Sequence, residues 1–167
     1  MSGEVPGHAL DRPAGREGPG KPALSDTLDN TTRDALLAAA RTVRARAHAP
    51  YSRFAVGAAV LDEQGRIHAG CNVENVAYPQ GWCAETSAIA AMVAAGGRRV
   101  RAVAVCAVAA ELGTPVTPCG GCRQKIREFA ADDCPILVAD EHTLEATFTL
   151  GQLLPCSFGP DHLNPTP

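Results

Sequence analysis

Residues 83–108 read CAETSAIAAMVAAGGRRVRAVAVCAV. This stretch sets the fold, because it runs from a cysteine through a helix and a stop into a covered strand. Ala84 to Ala95 consists largely of good helix formers, and Gly96-Gly97 provides the stop. Val100 to Val108 is then a near-continuous apolar run, the pattern of a strand buried on both faces in the middle of a sheet. A second cysteine motif, Pro118-Cys119-Gly120-Gly121-Cys122, ends the loop that follows and opens another helix, expected from about Cys119 to Ala131.

Working outward, a first helix is expected to start near Asn30-Thr31-Thr32, whose side chains can cap it. Leu36, Leu37, Ala40 and Val43 give it one apolar face. Ala49-Pro50 is the expected stop, because the residue before proline is driven out of the α region. Phe54 to Leu61 alternates as a strand, Asp62-Glu63-Gln64-Gly65 is a turn, and Arg66 to Val73 returns as the second arm of a hairpin. Beyond the second cysteine helix, Pro135 to Val138 is a short strand. Leu144 to Leu150 is either a fifth strand or the entry to a last short helix. Helices alternating with strands imply a layered α/β domain.

The chain has 167 residues, enough for one domain with a full core. Apolar residues make up 46% and aromatics only 4%, so the core must be built from small and β-branched side chains. A formal net charge of −3 leaves no basic footprint for nucleic acid. The longest apolar run is far too short to span a bilayer. Seven cysteines, an odd count, argue against a disulfide framework and for a reducing, cytoplasmic setting. Residues 1–26 carry four prolines and five glycines before Lys21-Pro22 is passed, and are expected to be a disordered tail ahead of a domain at 27–167.

Cys83, Cys119 and Cys122 are the candidate metal ligands. Both motifs fall at helix starts, where unpaired N–H groups and partial positive charge favour thiolate over thiol. Cys119 and Cys122 are neighbours on one helical face, and Cys83 can join them only from the very end of its helix. Three protein ligands leave the fourth position of a zinc ion open, which separates a catalytic site from a closed structural one. Glu85 is the carboxylate placed to handle protons there. On the residues alone, a structural zinc site or buried free thiols remain as alternatives.

Taken together, these motifs resemble those of cytidine deaminase, in its small form with three cysteines. The resemblance runs from about residue 30 to 160. It rests on Pro50-Tyr51-Ser52-Arg53-Phe54 with Val56-Gly57-Ala58, Gly70-Cys71-Asn72-Val73-Glu74-Asn75, the two cysteine motifs with Arg123-Gln124, Leu153-Leu154-Pro155, and Ser157-Phe158-Gly159-Pro160. It implies a three-layer α/β/α fold with a mixed five-stranded sheet. It also implies Zn²⁺ on Cys83, Cys119 and Cys122, with Glu85 shuttling protons as zinc-activated hydroxide attacks C4 of cytidine or 2′-deoxycytidine in pyrimidine salvage. Asn72 and Glu74 match the ribose ligands, Phe54 a wall of the base pocket, Ala84 a main-chain contact to the base, and Tyr78 a further pocket residue. Phe158 matches a residue that reaches a neighbouring subunit's pocket, so a homotetramer with shared active sites is implied. A deaminase of a modified cytosine nucleoside such as blasticidin S is the alternative substrate reading. An enzyme acting on nucleic-acid strands is disfavoured by the acidic balance.

One departure stands out. Relatives usually carry an arginine directly after the glutamate, offsetting the thiolate charge, whereas this chain has Thr86. Arg53 or Arg123 is expected to compensate. Cys71, Cys106, Cys134 and Cys156 are expected to be buried free thiols.

Overall fold

The structure is a computed structural model that describes residues 28–108, 114–159 and 162–163. The expected tail at 1–26 lies outside the described residues. A five-stranded mixed sheet carries helices on both faces, as expected. Its strands are β1 (Val56–Asp62), β2 (Ile67–Cys71), β3 (Val100–Ala107), β4 (Pro135–Ala139) and β5 (Leu144–Thr149), in spatial order β2-β1-β3-β4-β5. The β3–β4 pair is parallel and every other pair is antiparallel. A parallel pair cannot be joined by a tight turn. Its crossover contains α3 (Gly120–Phe129), which carries two of the cysteines at its start.

Period-two alternation divides the core into two faces. Ala58 and Val60 of β1, with Val103 and Val105 of β3, face α2 (Ala84–Ala94) and α3, where Ala88, Met92 and Ile126 are fully buried. Ala59 and Leu61, with Ala102, Ala104 and Cys106, face α1 (Asn30–Arg44) and its Leu36, Leu37 and Ala40. Burying each large aliphatic side chain contributes about 1.5–3 kcal/mol. The alanines opposite α1 have a different use, allowing the helix to lie close. A Cβ on Gly57 would fall 2.1 Å from the Ala40 carbonyl oxygen.

The element boundaries differ from expectation where non-local contacts decide them. Asp29, not Asn30, caps α1, accepting from the Thr32 amide at 2.9 Å. The helix ends at Arg44, before Ala49-Pro50 is reached. His48 instead forms a bridge to Val73, and Arg44 donates from Nε to the Ala55 carbonyl, so the sheet draws the chain out of the helix. β1 begins at Val56 rather than Phe54, because side chains take the carbonyls just before it: Asn72 Nδ2 donates to Phe54 and Arg44 Nε to Ala55. β2 stops at Cys71, after which the Asn72 side chain takes over the pairing with β1. α3 ends at Phe129, two residues short of Ala131. Both readings of the C-terminal stretch hold, since β5 passes directly into α4 (Leu150–Leu153) through a Thr149–Gln152 capping box.

A charged cluster sits at the β1–β2 turn. Asp62 is fully buried and accepts from the Gln64 and Arg66 amides, Arg66 Nε at 2.7 Å and His68 Nε2 at 2.8 Å. Arg66 also donates to the Ala95 carbonyl at the end of α2, which ties the hairpin to the helix that carries Glu85.

Candidate metal and substrate site

Two helix N-termini converge at the C-terminal half of β3. Cys83 is the N-cap of α2 and Cys119 the N-cap of α3, both in extended conformation, while Cys122 lies within the first turn of α3. The local cause is in the chain. The main chain of Trp82, just before Cys83, is bonded in both directions to Val73 at 2.8 and 2.9 Å. Before Cys119, Arg123 reaches back to hold the Pro118 carbonyl at 2.7 Å. The Cys83 side chain makes no capping hydrogen bond to its own helix, so its sulfur is available to other partners.

The sulfurs of Cys83, Cys119 and Cys122 lie within 4.8 Å of one another. Tetrahedral zinc with Zn–S bonds of about 2.3 Å needs sulfurs roughly 3.8 Å apart, so this cluster fits the ion with little movement. The charge balance fits too. In the metal-free chain, burial pushes the Cys122 thiol far above the ordinary thiol range, with Glu85 and Cys83 adding to the effect. Burial also raises Cys83. Cys119, at the rim, is lowered: burial opposes this, but the adjacent Cys122 amide and thiol outweigh it. A bound cation inverts that logic by stabilising the thiolates.

Glu85 is buried, and the Cys122 thiol donates to its Oε2 at 3.3 Å. Cys83, Cys119 and Glu85 all line a cavity of about 450 Å³. That is within the size range of small-molecule sites. Phe54, Asn72, Glu74, Tyr78 and Ala84 line the same cavity, so all but one of the substrate residues proposed from sequence gather there. The exception is Phe158, which is 56% exposed, stacks on His162 with ring centroids 5.1 Å apart, and is absent from the cavity wall.

The resemblance to the cytidine deaminases is supported by comparison with known proteins. Residues 30–138 match the model of the cytidine and deoxycytidylate deaminase zinc-binding region. This chain belongs to that family. Cytidine deaminase from Sporosarcina psychrophila is 42% identical over 130 residues, covering 77% of this chain and 93% of the relative. The enzyme from Mycobacterium tuberculosis is 43% identical over 119 residues, covering 71% and 84%. The solved cytidine deaminase of Burkholderia pseudomallei superposes with a TM-score of 0.69 at 37% identity, covering 75% of this chain and 98% of that one.

Several polar groups of this deaminase have partners that the sequence did not disclose. The Asn72 amide bridges β1, accepting from the Val56 amide at 2.8 Å and donating to the Phe54 carbonyl at 2.9 Å. Glu74 accepts from the Tyr51 amide at 2.8 Å, from the Ser52 amide, and from the Ser52 hydroxyl. The hydroxyl of Ser52 is the main cause that holds the Glu74 carboxyl below its ordinary range. Each side chain keeps unused capacity, since an amide and a carboxylate can each make further bonds. Trp82, Val73 and Val116 also line the cavity.

All seven cysteines are free. Cys106 and Cys134 are buried as expected, but Cys71 is half-buried and Cys156 is exposed. Cys156 adopts a φ of 55° in the turn after α4, a conformation that brings it to the surface. Among the described residues, no helix is long and apolar enough to cross a membrane.

Proposed function

We propose that this chain hydrolyses cytidine and 2′-deoxycytidine to uridine and 2′-deoxyuridine with release of ammonia. The single observation that carries the reading is the buried Glu85 carboxylate, 3.3 Å from a sulfur of a three-cysteine cluster, on the wall of a nucleoside-sized cavity. Cys83, Cys119 and Cys122 would hold a zinc ion, which would supply the Lewis acidity that brings the ionisation of water toward neutrality. Glu85 accepts a proton from the attacking water and delivers it to ring N3. That addition forms the C4–O bond and opens the N3=C4 double bond; Glu85 then carries the proton of the new C4 hydroxyl to the amine, so the C4–N4 bond breaks, ammonia leaves and the C4=O double bond forms. Burial of Glu85 keeps bulk water from competing for that proton.

Phe54 stacks on the base, and the Ala84 main chain at the start of α2 meets its polar edge. Asn72 and Glu74 use their remaining capacity on the ribose hydroxyls, and Tyr78 closes the mouth of the cavity. Phe158, exposed on its own subunit, reaches a neighbour's pocket in a homotetramer. The deaminase domain spans 27–167, and the enzyme works in cytoplasmic pyrimidine salvage.

The test is ultraviolet monitoring of cytidine conversion by purified protein, with and without a zinc chelator, alongside deoxycytidine and blasticidin S. Chelator-sensitive conversion of the two simple nucleosides supports the reading. Turnover of blasticidin S alone, or none of the three, overturns it.

A further inference from the structure

We infer that the Thr86 hydroxyl is a positioning group of the metal centre, donating a hydrogen bond to the Cys122 sulfur and tempering its negative charge. The inference rests on the three-thiolate zinc reading above. Thr86 is buried in the first turn of α2, and its Oγ1 lies 3.8 Å from Cys122 Sγ across the α2–α3 contact. A helical threonine commonly bonds the carbonyl four residues earlier. Here that carbonyl belongs to Trp82 and is already held by the Val73 amide at 2.9 Å. Among the described residues, Cys122 is the partner of the Thr86 hydroxyl.

The need for a donor follows from what else surrounds Cys122. Its side chain is fully buried, so water cannot solvate a thiolate there. Its other polar neighbours are the Cys83 and Cys119 sulfurs and Glu85 Oε2, and when ionised all three are acceptor-only and repel a thiolate. The two arginines expected to compensate do not reach the sulfurs. Arg53 is exposed on its loop. Arg123 directs its guanidinium to the Pro118 and Leu153 carbonyls and to the Thr117 hydroxyl, and among the described residues neither guanidinium makes a hydrogen bond to a cysteine sulfur. Thr86 is then the group beside Cys122 that can donate to it while Glu85 is charged.

Thr86→Val keeps the shape and removes the hydroxyl; Thr86→Ser does the reverse. Zinc affinity is measured by chelator competition, and the thiolate-to-metal charge-transfer band is recorded after cobalt substitution. Partners of metal ligands are typically worth 10–100-fold in affinity, so Thr86→Val should bind zinc at least about ten-fold more weakly. Its cobalt band should move to longer wavelength, while Thr86→Ser stays close to wild type on both measures. Equal affinity and an unmoved band in Thr86→Val overturn the inference, and so does an equal loss in both variants, which would assign the effect to packing. If the valine variant does not fold, Thr86→Ala against Thr86→Ser is judged by the same criterion. A wild-type chain that takes up no zinc overturns this inference and the zinc reading together, whereas normal uptake with indifferent variants overturns this inference alone.

Discussion

Gly70 of β2 lies so close beneath α2 that a Cβ on it would fall 2.3 Å from the Ala88 nitrogen. Real Cβ atoms do not approach main chain at that distance, so only glycine lets the hairpin and the helix touch here. The consequence reaches the site, because α2 carries Cys83 as its cap and Glu85 in its first turn. The Ser87 hydroxyl adds a bond to the Cys71 carbonyl at 2.9 Å, locking the same contact.

Gly70→Ala must therefore displace the helix and not merely a side chain. Overpacking of this kind costs about 1–3 kcal/mol. The expected outcome is a lower midpoint in denaturant unfolding together with weaker zinc retention, since the two cysteine-bearing helix ends no longer meet in register. Unchanged zinc affinity in a destabilised variant would separate the two effects and contradict the coupling.

Glu85→Gln keeps the shape of the side chain and removes its ability to accept and return a proton. Positioned general acid–base groups contribute about 10²–10⁴-fold. The variant should stay folded, bind one zinc per chain by metal analysis, and lose at least that lower factor in kcat. Activity near wild type would end the proton-shuttle reading.

The Asp62 cluster gives a pH prediction distinct from the chemistry. Burial alone would raise this carboxyl, but the His68 and Arg66 bonds outweigh it and hold Asp62 far below the usual carboxylate range. A depressed folded-state pKa means that the stabilisation is complete above the unfolded value of about 3.9 and is lost as pH falls through the folded one. Asp62→Asn removes charge-assisted bonds worth about 2 kcal/mol at neutral pH. Thermal unfolding scanned downward from pH 6 should show the gap between the two proteins constant to about pH 4 and narrowing below it, with no change in zinc affinity at pH 7.

Local patterns carried much of this architecture. The run at Val100–Val108 read as a central strand because both its faces are covered, and Cys83 and Cys119 read as helix starts because loop signals precede them. Tertiary contacts decided the rest. α1 ends at Arg44 because the chain pairs at His48 with Val73, and nothing near Arg44 marks that. Asn72 looked like a group free for a ligand, yet its amide spans residues 16 and 18 positions away. Thr86 looked like a deficiency because its partner, Cys122, is 36 residues distant and adjacent only in the fold.

Phe158 supplies the remaining prediction, which concerns assembly. Its ring is exposed and absent from its own chain's cavity, although Gln124 of α3 donates to its carbonyl at 2.8 Å and holds the segment near the helix that carries Cys122. If it completes a neighbour's pocket, Phe158→Ala should fold, bind zinc and lose activity mainly through KM. Glu85→Gln fails for a different reason and keeps an intact Phe158. Dissociating the two variants, mixing them and reassembling should restore activity at low substrate concentration, because some sites then combine Glu85 from one subunit with Phe158 from another. Recovered turnover above the sum of the separate variants establishes the shared site. A mixture no more active than its parts, in oligomers proven by mass to be mixed, would assign Phe158 to its own subunit.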